Sequence, residues 1–254
     1  FSIIVSSQLK QIMSELELKG EALDSLRCLV SSSERLPDKV RDKVLSLFAC
    51  DFHECYGASE IAIATNLNYQ QSYVDSVGQA IQNVDVKIID EDSKVLKAGE
   101  EGEIICKTPM LFSGYYKKQN ETASSMCGQY FCTGDYGKLD SNGYLTFLGR
   151  KKDIIITGGI NVYPKDIEDV ISRYENVSEC AVIPITDDFL GEKITAIVVP
   201  NDNEQVSIRA LQRLCAKELA DYQQPRMYYF DDELPKNAMG KVMKQQLIER
   251  YTPK

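Results

Sequence analysis

The sequence predicts an α/β protein whose first part leads into a section of short strands, followed by a smaller α+β unit. Three observations carry this. Residues 7–50 alternate helical apolar stripes with a short apolar strand, residues 72–150 carry short strand runs separated by turn residues, and a fresh strand–turn–helix pattern begins after Arg150. The boundaries that follow are 1–150 for a large domain and 151–254 for a second one of about 100 residues, an ordinary domain size.

Leu9, Ile12, Met13 and Leu16 recur at helical spacing and define one buried helix face. Leu26–Val30 reads as a buried strand, Ser31–Ser33 as a loop, and Pro37 suits the first turn of the next helix. That is the rhythm of a βαβ layer. Further on, Val84–Ile89 and Glu103–Lys107 read as strands, and Asp140-Ser-Asn-Gly143 as a hairpin turn, because Asn and Gly tolerate positive φ. This middle section predicts a small barrel or sandwich.

In the last part, Ile154–Ile156 forms a strand and Gly158-Gly159 a turn. Pro164 then opens a helix with acidic residues at its positive end and a stripe of Ile167, Val170, Ile171 and Tyr174. Strands at Ala181–Ile185 and Ile194–Val199 precede helices over 207–220 and 240–250.

Composition narrows the function. The 254 residues carry 38 acidic against 29 basic side chains, a formal charge of −9, the wrong sign for a protein that neutralises nucleic-acid phosphates. No apolar run reaches the roughly 18 residues a membrane span needs. Eight cysteines include no Cys-x-x-Cys pair, and the lone His53 cannot complete the common zinc sets. Scattered thiols of this kind predict a reducing, cytoplasmic setting.

Four short stretches carry chemistry: Tyr56-Gly-Ala-Ser-Glu60, Thr133-Gly-Asp135, Gly149–Asp153 running into Ile154–Pro164, and Pro235-Lys-Asn-Ala-Met-Gly-Lys241. Ser59 offers a hydroxyl, Glu60 a hard oxygen suited to magnesium, and Asp135 a carboxylate able to accept two hydroxyls. Taken singly, the same residues also fit a glycine turn before a helix start, a β-turn aspartate, a solvated Arg150-Lys-Lys152 patch, a tight Gly158-Gly159 turn and a surface lysine.

Together, in this order, the four stretches resemble the adenylate-forming superfamily of acyl-CoA synthetases, luciferases and peptide-synthetase adenylation domains, across about residues 20–250. The resemblance implies that residues 1–150 are the C-terminal part of a large AMP-binding domain and 151–254 a mobile lid. It further implies ATP, magnesium and CoA as cofactors and a carboxylic acid as substrate. Tyr56 would stack on adenine, with Gly57 beside it, and Ser59, in place of the usual Thr, would meet the α-phosphate. Glu60 would hold magnesium, Asp135 and Arg150 would bind ribose and phosphate, and Lys152 would be the hinge. Gly158 and Gly159 would line the pantetheine tunnel. Lys241 would reach the acyl carboxylate and α-phosphate during adenylation.

The Gly-Gly-Ile-Asn-Val-Tyr-Pro form favours CoA as acceptor. Charging of a separate carrier protein stands second, and a non-catalytic nucleotide- or CoA-binding module third. The family's phosphate loop finds no equivalent between Phe1 and Tyr56, and Ser31-Ser-Ser33 stands where relatives often carry Gly-Gly-Ala. The segment alone is therefore expected to be inactive.

Overall fold

The computed structural model describes residues 1–19, 25–32, 36, 38–70, 76–201, 204–237 and 240–252. The chain divides into two compact units, Phe1–Phe147 and Leu148–Lys254.

The first unit begins β1 (Ser2–Val5), α1 (Ser6–Lys19), β2 (Cys28–Ser32), α2 (Asp38–Leu47), β3 (Asp51–Ala58), β4 (Ala62–Asn68) and β5 (Gln79–Ala80). These strands form one sheet in the order β1-β2-β3-β4-β5. β1, β2 and β3 pair in parallel through the two helices, while β3 and β4 form an antiparallel hairpin. Leu9 and Met13 of α1 pack with Leu29, Val44 and Phe52, the core that the apolar stripe anticipates. Ser31 and Ser32 belong to β2 rather than to a loop. Ser31 is paired on both sides, to Ile4 and to Glu54, and that ladder overrides the low strand preference of serine. Ser33 and Pro37 lie outside the described residues.

A second sheet follows from β6 (Asp85–Ile89), β7 (Gly102–Lys107), α3 (Gln119–Ser124), β8 (Met126–Cys127), β9 (Tyr130–Leu139) and β10 (Leu145–Arg150). Its order is β10-β9-β7-β6 with β8 on β9, so it is an open half-barrel rather than a closed one. The β9–β10 turn is held by the Asp140 carboxylate, which accepts the N–H groups of Asn142 and Tyr144 at 2.9 and 2.8 Å. Gly143 takes the positive φ of 81° there, and Asn142 does not share it. The boundary between the two units falls inside β10.

The second unit comprises β11 (Ile155–Thr157), β12 (Ile160–Val162), α4 (Pro164–Ile171), β13 (Val177–Asp187), β14 (Gly191–Pro200), α5 (Ile208–Glu218), β15 (Met227–Phe230) and α6 (Lys244–Tyr251). Its sheet runs β12-β11-β14-β13, with β15 parallel to β14 and β13 at an edge. Side chains alternate across the sheet. Val182, Ile194, Ala196 and Val198 face α4 and α5, whereas Ala181, Ile183, Ile197 and Val199 face Leu247 of α6. Burial on both faces explains why these strands read as unbroken apolar runs.

Candidate functional site

The β3–β4 hairpin presents Tyr56-Gly-Ala-Ser-Glu60. β3 ends at Ala58, and Ser59 and Glu60 lie in the turn, so no helix starts there. Gly57 is dictated by packing: a Cβ on it would lie 1.9 Å from the Ala62 carbonyl oxygen across the hairpin. Ser59 is exposed at the tip.

Tyr56 projects from this hairpin toward β9, where its phenol donates to Asp135 Oδ2 at 2.8 Å. Its ring lies 6.0 Å from that of Phe147, centre to centre. Asp135 is 3% exposed and stands in the middle of β9, not in a β-turn. The reason is an irregularity in the ladder. Ile105 pairs with Cys132 but Glu103 pairs with Tyr136, so β9 carries two extra residues against β7. Gly134 absorbs this bulge at φ 68°. Thr133 fixes it from below, its hydroxyl donating to Ile104 O at 2.7 Å and accepting the Asp135 N–H at 3.1 Å.

Glu60 is not part of that contact. Its carboxylate accepts the Tyr115 hydroxyl at 2.8 Å, and its carbonyl oxygen accepts the Phe112 N–H at 2.8 Å. Phe112 meets both Tyr115 and Phe131 edge-on, which fixes the direction of the phenol. Burial, and then the Glu60 carboxylate, push the Tyr115 phenol above its ordinary range, so it remains a donor. Sequence reasoning missed Tyr115, because its cluster with Phe112 and Phe131 forms only on folding. Among the described residues no three metal-ligating side chains cluster, so a cation at Glu60 would take its other oxygens from water and a bound phosphate.

Arg150, Lys152, the glycine turn and Lys241 belong to the second unit. Arg150 closes β10, and Lys152 is exposed in a single 3-10 turn over Lys151–Asp153. Gly158 and Gly159 take φ of 57° and 79° and join β11 to β12, with Thr157 opposite Ile160. A two-residue hairpin with both central residues at positive φ is the form that glycine pairs favour. The turn leans on the next one, since Gly158 N–H donates to Leu190 O at 2.8 Å.

Lys241 is exposed, but it does not open the last helix, which starts at Lys244. It lies in a closed loop. Met243 N–H donates to Pro235 O at 2.8 Å, Lys236 bridges to Val242, and Asn237 N–H donates to Lys241 O at 2.9 Å. The Asn237 side chain completes the clasp by accepting the Lys241 N–H at 3.0 Å. These cross-loop bonds, with Gly240 at φ 81°, keep the segment out of the helix. Ala238 and Met239 lie outside the described residues.

The buried tyrosine–aspartate pair lies on the first unit, and the looped lysine and the glycine hairpin lie on the second. The AMP-binding enzyme model matches residues 1–116, and the AMP-binding enzyme C-terminal domain model matches residues 166–241. The chain belongs to the AMP-binding enzyme family. It is 34% identical over 239 residues to a long-chain-fatty-acid–CoA ligase of Bacillus subtilis (strain 168), which covers 93% of this chain and 43% of that protein. Among solved structures it is similar to ATP-bound MatB from Rhodopseudomonas palustris, at 33% identity and a TM-score of 0.89, over 98% of this chain and 50% of that one. It is also similar to the amide bond synthetase McbA from Marinactinospora thermotolerans, at 28% identity and a TM-score of 0.91, over 98% and 52%. The chain thus spans about half the length of the relatives it matches. No helix among the described residues is long and apolar enough to cross a membrane.

Proposed function

We propose that this chain is the C-terminal half of an AMP-forming acyl-CoA ligase, with residues 151–254 as its mobile lid. The observation that carries the reading is the clasped loop holding an exposed Lys241. A loop fixed at its neck, with Lys241 exposed, suits a cation that must be brought to a phosphate and then withdrawn.

In the first step a carboxylate oxygen attacks the α-phosphorus of ATP, the bond to the bridging oxygen breaks, and pyrophosphate leaves. Asp135 and Arg150 hold the ribose side of the nucleotide, Tyr56 and Gly57 its base, and Ser59 the α-phosphate. Glu60 is the candidate magnesium ligand; the cation would neutralise phosphate charge. Two unit charges 4 Å apart attract by about 1 kcal/mol in water but by about 4 kcal/mol at an effective dielectric of 20. Lys241 is therefore effective only once water is excluded.

In the second step the CoA sulfur attacks the acyl carbonyl, AMP departs, and the thiol proton passes to solvent. Turning at Lys152 would remove Lys241 and present Gly158-Gly159 to the pantetheine arm. The bare glycine surface favours CoA over other acceptors. Eight free cysteines support a cytoplasmic location, and fatty-acid metabolism is the setting suggested by the Bacillus relative.

The test is Lys241→Ala in the full-length protein. Adenylation, read as pyrophosphate release, should fall roughly 10²–10³-fold, the scale of losing one preorganised charge stabiliser. Thioester formation from supplied acyl-AMP should change far less. Equal loss in both half-reactions contradicts the assignment, and transfer to a phosphopantetheinylated carrier but not to CoA would replace the acceptor.

A further inference from the structure

The loop that carries Lys241 is tied to the rest of its unit by a charge pair that the proposed reaction does not use. Lys244 Nζ lies 2.7 Å from Glu168 Oε1, with the two side chains 22% and 15% exposed. The same Glu168 oxygen accepts the N–H of Val182 at 2.8 Å. β13 is an edge strand, so this N–H points outward, and the carboxylate covers it. α4 packs on one face of the sheet and α6 on the other. One carboxylate therefore joins two helices around the edge of the sheet between them.

Helix stability does not account for the pair. Lys244 is the first residue of α6, where the helix dipole disfavours a cation. Leu247 and Ile248 already anchor α6 through apolar contact. A largely buried ion pair in such a place is weak evidence for stability, because apolar replacements often serve as well. The far end of α6 is held by Arg250 and Tyr251 on Asp231, and the Glu168–Lys244 pair fixes the rotation of its first turn, next to the loop.

That rotation is passed directly to the loop. Lys244 follows Met243, whose N–H closes the loop neck on Pro235. A second tie, Lys236 to Glu179, holds the other side of the neck, but both of its side chains are more exposed and it is correspondingly weaker. We propose that Glu168 is a positioning residue for Lys241, acting through Lys244 at the start of α6. The proposal rests on the adenylation role assigned to Lys241.

The test uses the full-length enzyme with both half-reactions measured separately. Glu168→Gln retains an oxygen for Val182 N–H but removes the charge. It should lower adenylation kcat about tenfold, within what small misplacements of a reacting group cost. Thioester formation from supplied acyl-AMP, assayed well below the melting temperature, should stay near wild type, while the melting temperature falls because Lys244 loses its partner in a largely buried pair. Lys244→Met should reproduce this split, and it carries the test alone if Glu168→Gln does not fold. The double variant should be no worse than either single one, and Lys244→Arg should restore adenylation. Lys241→Ala runs beside them as reference. If Lys241→Ala splits the half-reactions but Glu168→Gln and Lys244→Met leave adenylation intact or depress both halves alike, the positioning role is overturned and the function stands. If Lys241→Ala itself gives no split, both readings fall together.

Discussion

The phenolic oxygen of Tyr56 and Oδ2 of Asp135 lie 2.8 Å apart, although the residues are 79 positions apart in sequence and come from different sheets. The contact joins the β3–β4 hairpin to the β9 bulge. It fixes one carboxylate oxygen of a nearly buried aspartate, and with it the direction of the group proposed to receive the ribose.

Tyr56→Phe should therefore act on both stability and binding. Losing a buried hydrogen bond to a carboxyl group costs about 1–3 kcal/mol, readable as a lower denaturant midpoint. The KM for ATP should rise with it. An unchanged midpoint would mean that the bond adds nothing to the fold.

The glycine hairpin allows conformation and steric access to be separated. A Cβ on Gly159 meets nothing within 4 Å in this structure, so the cost of adding one is conformational. Gly159→Ala should lose roughly 1–2 kcal/mol, the penalty of a left-handed residue. Gly159→Asn should lose less, because asparagine visits that region more readily. If the turn lines a pantetheine path, both variants should slow thioester formation more than adenylation. Wild-type thioester rates with either side chain would remove the tunnel role.

Tyr115→Phe tests whether the phenol acts through Glu60. The variant should raise the magnesium concentration needed for half-maximal adenylation, and Mn²⁺ binding followed by paramagnetic resonance in the presence of ATP should weaken in parallel. In a Glu60→Gln background the second change should have little further effect. Full additivity would separate the two residues.

Asp187 supplies a pH prediction. Its carboxylate is pulled down to about 2, first by the Lys193 ammonium and then by the N–H groups of Leu190 and Phe189. Lys193 Nζ lies 2.9 Å from it. A depressed carboxylate stabilises the fold above its unfolded pKa and loses that contribution as pH falls toward the folded value. The β13–β14 turn should thus loosen only between about pH 4 and pH 2. A carbon-detected titration of Asp187 should show the low midpoint, and Lys193→Met should move it upward.

Much of this architecture was legible in the residues because local signals and tertiary packing agree. The stripe of Ile167, Val170 and Ile171, with Pro164 in front, yields α4 as expected, and the two-sided apolar runs yield β13 and β14. Failures occur where distant pairing decides. Ser31 becomes strand through ladders to β1 and β3, and Asp135 becomes mid-strand through a bulge defined only by its partner β7. The Lys241 segment looks helical in sequence, but Asn237 and Pro235 divert its backbone bonds across the loop. The Tyr56–Asp135 and Glu60–Tyr115 contacts had no local signature, since each joins segments more than fifty residues apart.

The excess in β9 is two residues, and two is an even number. Phe131, Thr133, Asp135 and Gly137 consequently stay on the inner side without interruption, and the strand leaves the irregularity in phase with how it entered. Length variation at this point is in effect quantised. Gaining or losing one residue would invert the facing of everything downstream to Leu139 and turn the aspartate outward, whereas a change of two could be absorbed. Divergence among such proteins should therefore show insertions in the Asp140–Gly143 turn far more freely than single-residue changes beside Gly134.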